Sequence, residues 1–393
     1  MENLSLQEVI VEIENFLNEN YCFRRNLLSG KTEVMEIGEG KESSEWRILT
    51  EEVFNSILVR MMKDDIGGNS PKAHVLEIIN SEATENYDPV SELKANLPEW
   101  DGQNHVAALF NRIPGMTSEH LSWFGTWLRS AFAHWMGLDT LHGNEIVPVL
   151  IGKQGCGKTT FATRLLPPEL RMYFLDHINF GNKFDAEMAL THNLLVNIDE
   201  FANMGPSQQG KLKQTLSKVK VNGRPIFGRS QDDRRRYASF IATTNDEHPL
   251  CDPTGSRRFI CLQIPKGMFI DNTGTIDYGQ LFAQLLYEIE VKQTPYWFTN
   301  DEVDRIQQAN LPFFKQDDLE NMINCCFRIP QEHEEGKWML CKQVHETLQE
   351  RYPNFIGDNS AKIKIGNALK FMGCLSQHTR QGQKYLLIPK EAA

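Results

Sequence analysis

The chain lacks the marks of a secreted or membrane-bound protein. No run of about 18 apolar residues occurs anywhere in its sequence, so no segment reads as a membrane span. The opening stretch MENLSLQEVIVEIENFLNEN has neither a basic head nor an apolar core and does not read as a signal peptide. The eight cysteines form no CxxC pair, and Cys156 sits inside a Gly-rich loop where a disulfide would be disruptive, so a reducing cytoplasm is the expected compartment. There is no internal repeat and no low-complexity tract. Positive charge is also short: the net charge is −11 over 393 residues, which argues against a protein that coats nucleic acid over its whole surface.

That average hides segregation. Between Lys211 and Arg236 there are nine Lys/Arg against two acids, and between Ser360 and Lys390 six Lys/Arg and no acid. One such run is most simply a solvated face. Two of them in an acidic chain point to local contact with a polyanion.

The periodicity organises the chain into five stretches: a small α+β domain over 1–102, a helical linker over 103–142, an α/β core over 143–270, a helical region over 271–325 and a compact unit over 326–393. Helices are expected at about 6–17 and 50–62, with a hairpin turning at Ser29-Gly30-Lys31. Leu121, Phe124, Leu128, Ala131, Phe132 and Trp135 recur at helical spacing up to Gly137, an aromatic stripe best read as core packing. Apolar strand candidates follow at 146–151, 172–175, 194–198, 238–243 and 258–264. Helical segments separate most of them, which predicts a parallel sheet covered on both faces.

The segment Gly152-Lys-Gln-Gly155-Cys156-Gly157-Lys158-Thr159 satisfies G-x-x-x-x-G-K-[ST] between a strand and a helix. Its glycines let backbone N–H groups turn toward a phosphate, and the helix that begins with Lys158, Thr159 and Thr160 adds its positive end. Lys158 is the expected counter-charge for the β/γ-phosphates of ATP, and the Thr159 hydroxyl a ligand for Mg²⁺. Some forty residues on, LLVNIDE is a strand ending in Asp199-Glu200. Asp199 is the candidate metal partner, and Glu200 the candidate base for an attacking water. An acid pair here favours hydrolysis over transfer to a small substrate. The strand ASFIATT is expected between these two, with the Asn245 amide at its tip facing the γ-phosphate.

Taken in order, LPEWDG, PVLIGKQGCGKTTF, NIDEF, RPIFGR, ATTN and DPTGSRRF resemble the virulence-associated protein E family, a relative of the superfamily 3 helicases and of the helicase parts of viral and plasmid primases. The resemblance covers roughly 87–264. It implies an AAA+-like ATPase that assembles as a homo-oligomeric ring, usually a hexamer. It also implies that Asn245 is the sensor and that Arg257 or Arg258 is a finger reaching the neighbouring subunit's nucleotide. A basic hairpin carrying Lys218, Lys220 and Arg224, with Asn222-Gly223 as its turn, would meet single-stranded DNA in a central channel. Members often carry a primase-like domain upstream; the first hundred residues are too short for one and lack a paired-acid metal motif, so priming is not implied.

The final stretch reads as two helices, WMLCKQVHETLQERYP and DNSAKIKIGNALKFMG, followed by a hairpin around Arg380-Gln381-Gly382. That is the winged-helix pattern, with Lys362, Lys364, Lys370, Arg380 and Lys384 toward phosphate. Cys325, Cys326, His333, Cys341 and His345 cluster in sequence, but the short Cys pair of a zinc site is missing. Two readings compete for the whole chain: a DNA helicase motor of a mobile element or phage, and a regulatory or anti-phage defence ATPase whose assembly is controlled by nucleotide.

Overall fold

The computed structural model describes residues 5–390 apart from 38–44, 69–70, 140–141, 179, 181, 205, 224–231, 251–252, 315–317, 332–333 and 353–360. The chain forms two units, Met1–Pro312 and Phe313–Ala393. No helix among the described residues is long and apolar enough to cross a membrane.

The first unit begins with the helix Leu6–Asn20, started by a capping box between Ser5 and Glu8. It packs on a four-stranded sheet of β1 (Tyr21–Asn26), β2 (Thr32–Glu36), β3 (Arg47–Ile48) and β4 (Glu85–Tyr87), ordered β3-β2-β1-β4. The β1–β2 turn closes at Gly30, whose φ of 68° suits a residue without a side chain. Two further helices, Glu51–Lys63 and Pro71–Ile79, complete a small core of Ile13, Phe16, Val34, Ile57, Met61 and Val75.

The central sheet contains β5 (Val147–Ile151), β6 (Phe174–Leu175) and β7 (Leu195–Ile198). A ribbon of β8 (Lys220–Gly223) and β9 (Asp232–Arg235) intervenes before β10 (Ser239–Thr244) and β11 (Phe259–Gln263). Its order is β11-β5-β10-β7-β6, and every pairing is parallel. Each of the five strands begins within two residues of its predicted start. All residues of β5, β7 and β10 are buried, which is why these strands read as largely apolar runs; the polar Asn197, Ser239, Thr243 and Thr244 are buried with them. The helix Ser118–Met136 supplies the cover on one side. Trp123, Phe124, Trp127, Phe132 and Trp135 are buried in the main core, and Gly137 ends the helix with a φ of 74°. Trp135 Nε1 donates to Leu194 O at 3.0 Å, tying this helix to the start of β7.

Two expectations fail locally. Asn222-Gly223 is not the turn of the basic ribbon: Asn222 pairs with Asp233 and Gly223 with Asp232, so both still lie in the ladder. The connection 224–231 is outside the described residues. In the second unit, WML does not start a helix. Lys337–Leu340 is β13, paired antiparallel with β15, and the helix begins only at Cys341. A four-residue apolar run has no period of its own, and a distant partner strand decides its state.

The second unit holds helices Asp318–Cys326, Cys341–Arg351 and Ala361–Phe371 over a core that includes Ile323, Phe327, Val344, Leu348, Ile365, Leu369 and Leu387. Its antiparallel strands are β12 (Phe327–Arg328), β13, β14 (Ser376–Thr379) and β15 (Gly382–Pro389), with β15 pairing all three others. The helix–helix–hairpin order read from the sequence is present.

Much of the basic segment turns inward. Arg236 is 2% exposed, and its guanidinium donates to four backbone carbonyls: Ala238 (2.9 Å), Leu216 (2.5 Å), Lys218 (2.8 Å) and Asn144 (2.9 Å). Burial pushes it down to about 10, against the opposing pull of Glu145. It clasps the segment before β5 to the segment before β8. Replacing it would strand four buried acceptors. Arg236→Ala is expected to cost about 3 kcal/mol, read as a lowered urea midpoint. Arg236→Lys is expected to recover little, since one ammonium lacks the planar fork that reaches all four.

Candidate active site

Three parallel strand ends bring the predicted loop, amide and acid pair to one edge. Ligands of open parallel sheets bind beyond the carboxyl ends of the strands, and here those ends are Gly152 after β5, Asn245 after β10 and Asp199 after β7. The insertion of β10 between β5 and β7 is what places Asn245 between the loop and the acid pair.

The loop after β5 takes the shape its glycines permit. Gly155 and Gly157 have φ of 82° and 92°, the left-handed region that ordinary side chains avoid. Gly157 caps the helix Lys158–Thr163 without any side-chain hydrogen bond, so the first helical N–H groups stay available. Lys158 is 8% exposed. Its Nζ donates to Gly152 O at 2.6 Å, Lys153 O at 3.1 Å and Asn245 Oδ1 at 2.9 Å. The predicted phosphate lysine and the predicted sensor amide are therefore in direct contact. With Oδ1 held by Lys158, the Asn245 amide nitrogen is the group left to donate. Thr159 is partly buried and Thr160 exposed on the same helix, and Cys156 is buried within the loop.

Asp199 and Glu200 leave β7 in different ways. Asp199 Oδ1 accepts from Thr243 Oγ1 at 2.6 Å, a β10 hydroxyl that fixes the carboxylate and leaves its other oxygen exposed. Glu200 has φ 50° and ψ 41°, an uncommon backbone for a residue with a side chain. Two bonds hold it there: Asn203 N to Glu200 O, and Asn203 Nδ2 to Glu200 Oε2, both at 2.8 Å. Asp199, Glu200, Asn203 and His177 line a cavity of about 190 Å³. Behind them Asn197 is fully buried, donates to Asp176 Oδ1 at 3.3 Å, and has an unpartnered Oδ1.

The arginine pair lies elsewhere. Arg257 and Arg258 precede β11, at the amino ends of the strands. The five residues of β5 separate the two edges by about 16 Å, at roughly 3.3 Å per residue. The two differ sharply. Arg258 donates from Nε to Glu145 Oε2 at 3.1 Å and from Nη2 to Ser217 Oγ at 3.4 Å. Arg257 is exposed and has no partner among the described residues. Both border a cavity of about 260 Å³ with Glu145, His142 and Trp297.

The expected DNA-contacting cations are scattered in circumstance. Lys218 Nζ is paired with Glu187 Oε1 at 2.7 Å, and Lys220 is exposed on β8. Arg224 lies outside the described residues. In the second unit Lys362, Lys364 and Arg380 are exposed and Lys384 is partly buried on β15. Sequence reasoning missed Thr243 and Asn203. Thr243 is one more apolar-strand threonine until β7 is known to lie beside it.

A family model described as the virulence-associated protein E-like domain matches residues 93–313. A second, for a domain of unknown function from a B. Theta gene, matches 317–387. No curated protein matches. Among solved structures, the A form apo structure of the NrS-1 C-terminal region is 13% identical, with 97% of this chain and 99% of that one covered and a TM-score of 0.47. A structure titled "SCCmec type IV Cch - active helicase" is 11% identical, with 94% and 92% covered and a TM-score of 0.35.

Thr243→Val keeps the shape of β10 and removes the hydroxyl on Asp199. The Mg²⁺ concentration for half-maximal nucleotide binding is expected to rise about tenfold, the usual cost of losing a partner behind a metal ligand. Titration of fluorescent ATP against Mg²⁺ measures it, and nucleotide binding in EDTA should be unchanged.

Proposed function

The chain belongs to the virulence-associated protein E-like family, and from its site we propose that it is an ATP-hydrolysing motor that forms a ring, a hexamer by the family resemblance, and acts on DNA as a helicase in replication of a mobile element or phage. The observation that carries this reading is the two-ended site: Lys158, Asn245, Asp199 and Glu200 gather at the carboxyl edge of the sheet, while an exposed arginine with no partner among the described residues stands at the opposite edge.

The residues suit Mg²⁺ and ATP. The positive-φ glycines turn amides toward an anion, Lys158 neutralises the β/γ-phosphates, and Thr159 with Asp199 would hold the metal. When bound, Mg²⁺ supplies Lewis-acid charge neutralisation on the phosphates. Asp199 is held by Thr243 for that task. Glu200, exposed at a strand end, orients and deprotonates the attacking water. Asn245 donates to the terminal phosphate or to that water. Arg257 cannot serve the site of its own subunit, being at the far edge. It acts in trans, where its charge stabilises the transition state next door. Arg258, bound to Glu145, positions the segment that carries it. The basic ribbon meets single-stranded DNA, and the second unit is a winged helix offering Lys362, Lys364, Arg380 and Lys384 to phosphate.

One observation favours the other reading. Lys218 and Arg236, and their neighbours Arg234 and Arg235, are all engaged within the first unit, which thins the charge available to a polyanion. On that reading nucleotide controls assembly, and the motor does no unwinding.

Lys158→Ala and Arg257→Ala should each lower kcat at least about 100-fold, and Arg258→Ala far less. Mixing the Lys158→Ala and Arg257→Ala proteins should restore part of the activity, because a finger from one can serve the intact loop of the other. No recovery in mixtures that do co-assemble would sink the trans assignment. Hydrolysis indifferent to single-stranded DNA, without displacement of a tailed duplex, would favour the regulatory reading.

A further inference from the structure

The helix Ala361–Phe371 of the second unit has one face committed and one face free. Ala361, Ile365, Ala368 and Leu369 are buried. Gly366 fixes the rotation: a Cβ there would meet Cys341 Sγ at 3.3 Å and Tyr385 Oη at 3.4 Å, so the helix lies close against its neighbours on that side. Helical periodicity then turns Ile363, Asn367 and Lys370 outward as one stripe, at i, i+4 and i+7, and all three are exposed.

Solvation alone does not call for this face. Its charge has one sign: Lys362, Lys364, Lys370, Arg380 and Lys384 have no acid between them in the sequence and form no ion pair among the described residues. Lys362 and Lys364 lie in the first turn, at the positive end of the helix dipole, where a cation is disfavoured until an anion joins it. Ile363, set between them, is 67% exposed. One turn on, the Asn367 amide makes no side-chain hydrogen bond among the described residues. A lone exposed isoleucine is ordinary. One flanked by unpaired lysines and followed by a free amide has the parts of a base-reading surface.

The chemistry selects the kind of polyanion. A single strand is held by aromatic rings that stack on its bases. This helix and the hairpin β14–β15 offer none: Phe371 is partly buried with its ring 5.1 Å from that of Phe314, and Tyr385 is 2% exposed. Duplex RNA hides its major-groove edges in a deep, narrow groove. The major groove of DNA admits a helix, and it presents an adenine edge to an amide and a thymine methyl to an aliphatic side chain. We infer that the helix Ala361–Phe371 reads base sequence in the major groove of duplex DNA: Asn367 bonds an adenine at N6 and N7, Ile363 packs on a thymine methyl, and the surrounding cations hold phosphate. The two side chains are one turn apart, about 6 Å along the axis, which spans one or two base pairs at about 3.4 Å each. This inference rests on the reading of the second unit as a DNA-binding winged helix. It goes beyond that reading by assigning sequence selectivity, which phosphate contacts do not carry.

Titration of the full chain, without nucleotide, into short blunt fluorescent duplexes tests both levels. The probes are alternating A–T, the same duplex with uracil for thymine, and alternating G–C. The wild type should bind A–T at least about tenfold more tightly than G–C. Uracil, which lacks only the methyl, should cost about fourfold. Ile363→Ala should bind the thymine and uracil duplexes alike. Asn367→Ala should lose the A–T preference and keep its affinity for G–C. Lys362→Ala combined with Lys364→Ala should weaken all three duplexes equally and flatten the salt dependence. Equal affinity for the three probes, weakened by the double lysine variant, overturns the base readout alone. So does an A–T preference that survives uracil and both stripe variants, the result of minor-groove recognition elsewhere in the chain. Duplex binding that is absent, or unmoved by the double lysine variant, overturns the winged-helix reading beneath it.

Discussion

A buried ammonium group must find acceptors, and Lys158 finds them in its own loop and at the tip of the neighbouring strand. Two carbonyls of the turn, Gly152 and Lys153, and the amide oxygen of Asn245 surround its Nζ. In a poorly hydrated site each of these bonds is worth more than in water, and removing any one leaves charge uncompensated. The arrangement demands that β10 lie directly beside β5, since only then does Asn245 emerge within reach. That adjacency in turn places β7 beyond β10 and brings Thr243 against Asp199. On the proposed nucleotide-binding reading, a polyphosphate in the loop would compete for the same ammonium, so Lys158 and Asn245 would exchange partners together.

The opposite edge of the sheet obeys a different constraint. Arg257 and Arg258 are adjacent in sequence, yet a short helical turn directs them differently: Arg258 to Glu145 and Ser217, Arg257 to solvent. The Glu145 carboxylate sits just before β5, so Arg258 ties the amino ends of β5 and β11 together. The doubled arginine thus has two unlike surroundings. On the proposed trans reading, an exposed guanidinium carried on a segment pinned by its neighbour would keep its position with little loss of freedom, as a group acting across an interface must.

The strands were legible because a strand buried on both faces is rich in apolar and β-branched residues, as in VPVLI and SFIATT. The helix end at Gly137 was legible because a left-handed cap needs glycine. What escaped depends on partners far along the chain. Lys337–Leu340 is a strand only because β15 comes back to it, and Asn222-Gly223 is no turn because the ladder continues past it. The loop 268–272 has no period and no motif, and its hydrogen bond from Asn272 Nδ2 to Gly157 O spans more than a hundred residues. The loop 152–159, the acid pair and Asn245 could be picked out in the sequence, and the structure brings them to one edge of the sheet. The different surroundings of Arg257 and Arg258 could not be read, because Glu145 carries no sign in the sequence that it is adjacent to either.

Charge counting is where sequence reasoning is least secure, and the basic ribbon illustrates why. In β9 successive side chains point to opposite faces, so a strand used on one face leaves the other free. Here both are used. Arg234 meets His192, which burial and that guanidinium hold down near 4 and so keep uncharged as an acceptor at neutral pH. Arg235 meets the carbonyls of His134 and Trp135 at the end of the helix Ser118–Met136, where the helix dipole favours a cation. Arg236 is enclosed altogether. The ribbon is thus rooted in the first unit by its own arginines, across both faces. Its base is an anchor. On the proposed motor reading such an anchored base has a mechanical use: a ribbon that pulls on a nucleic-acid strand would transmit force only if its own attachment did not yield.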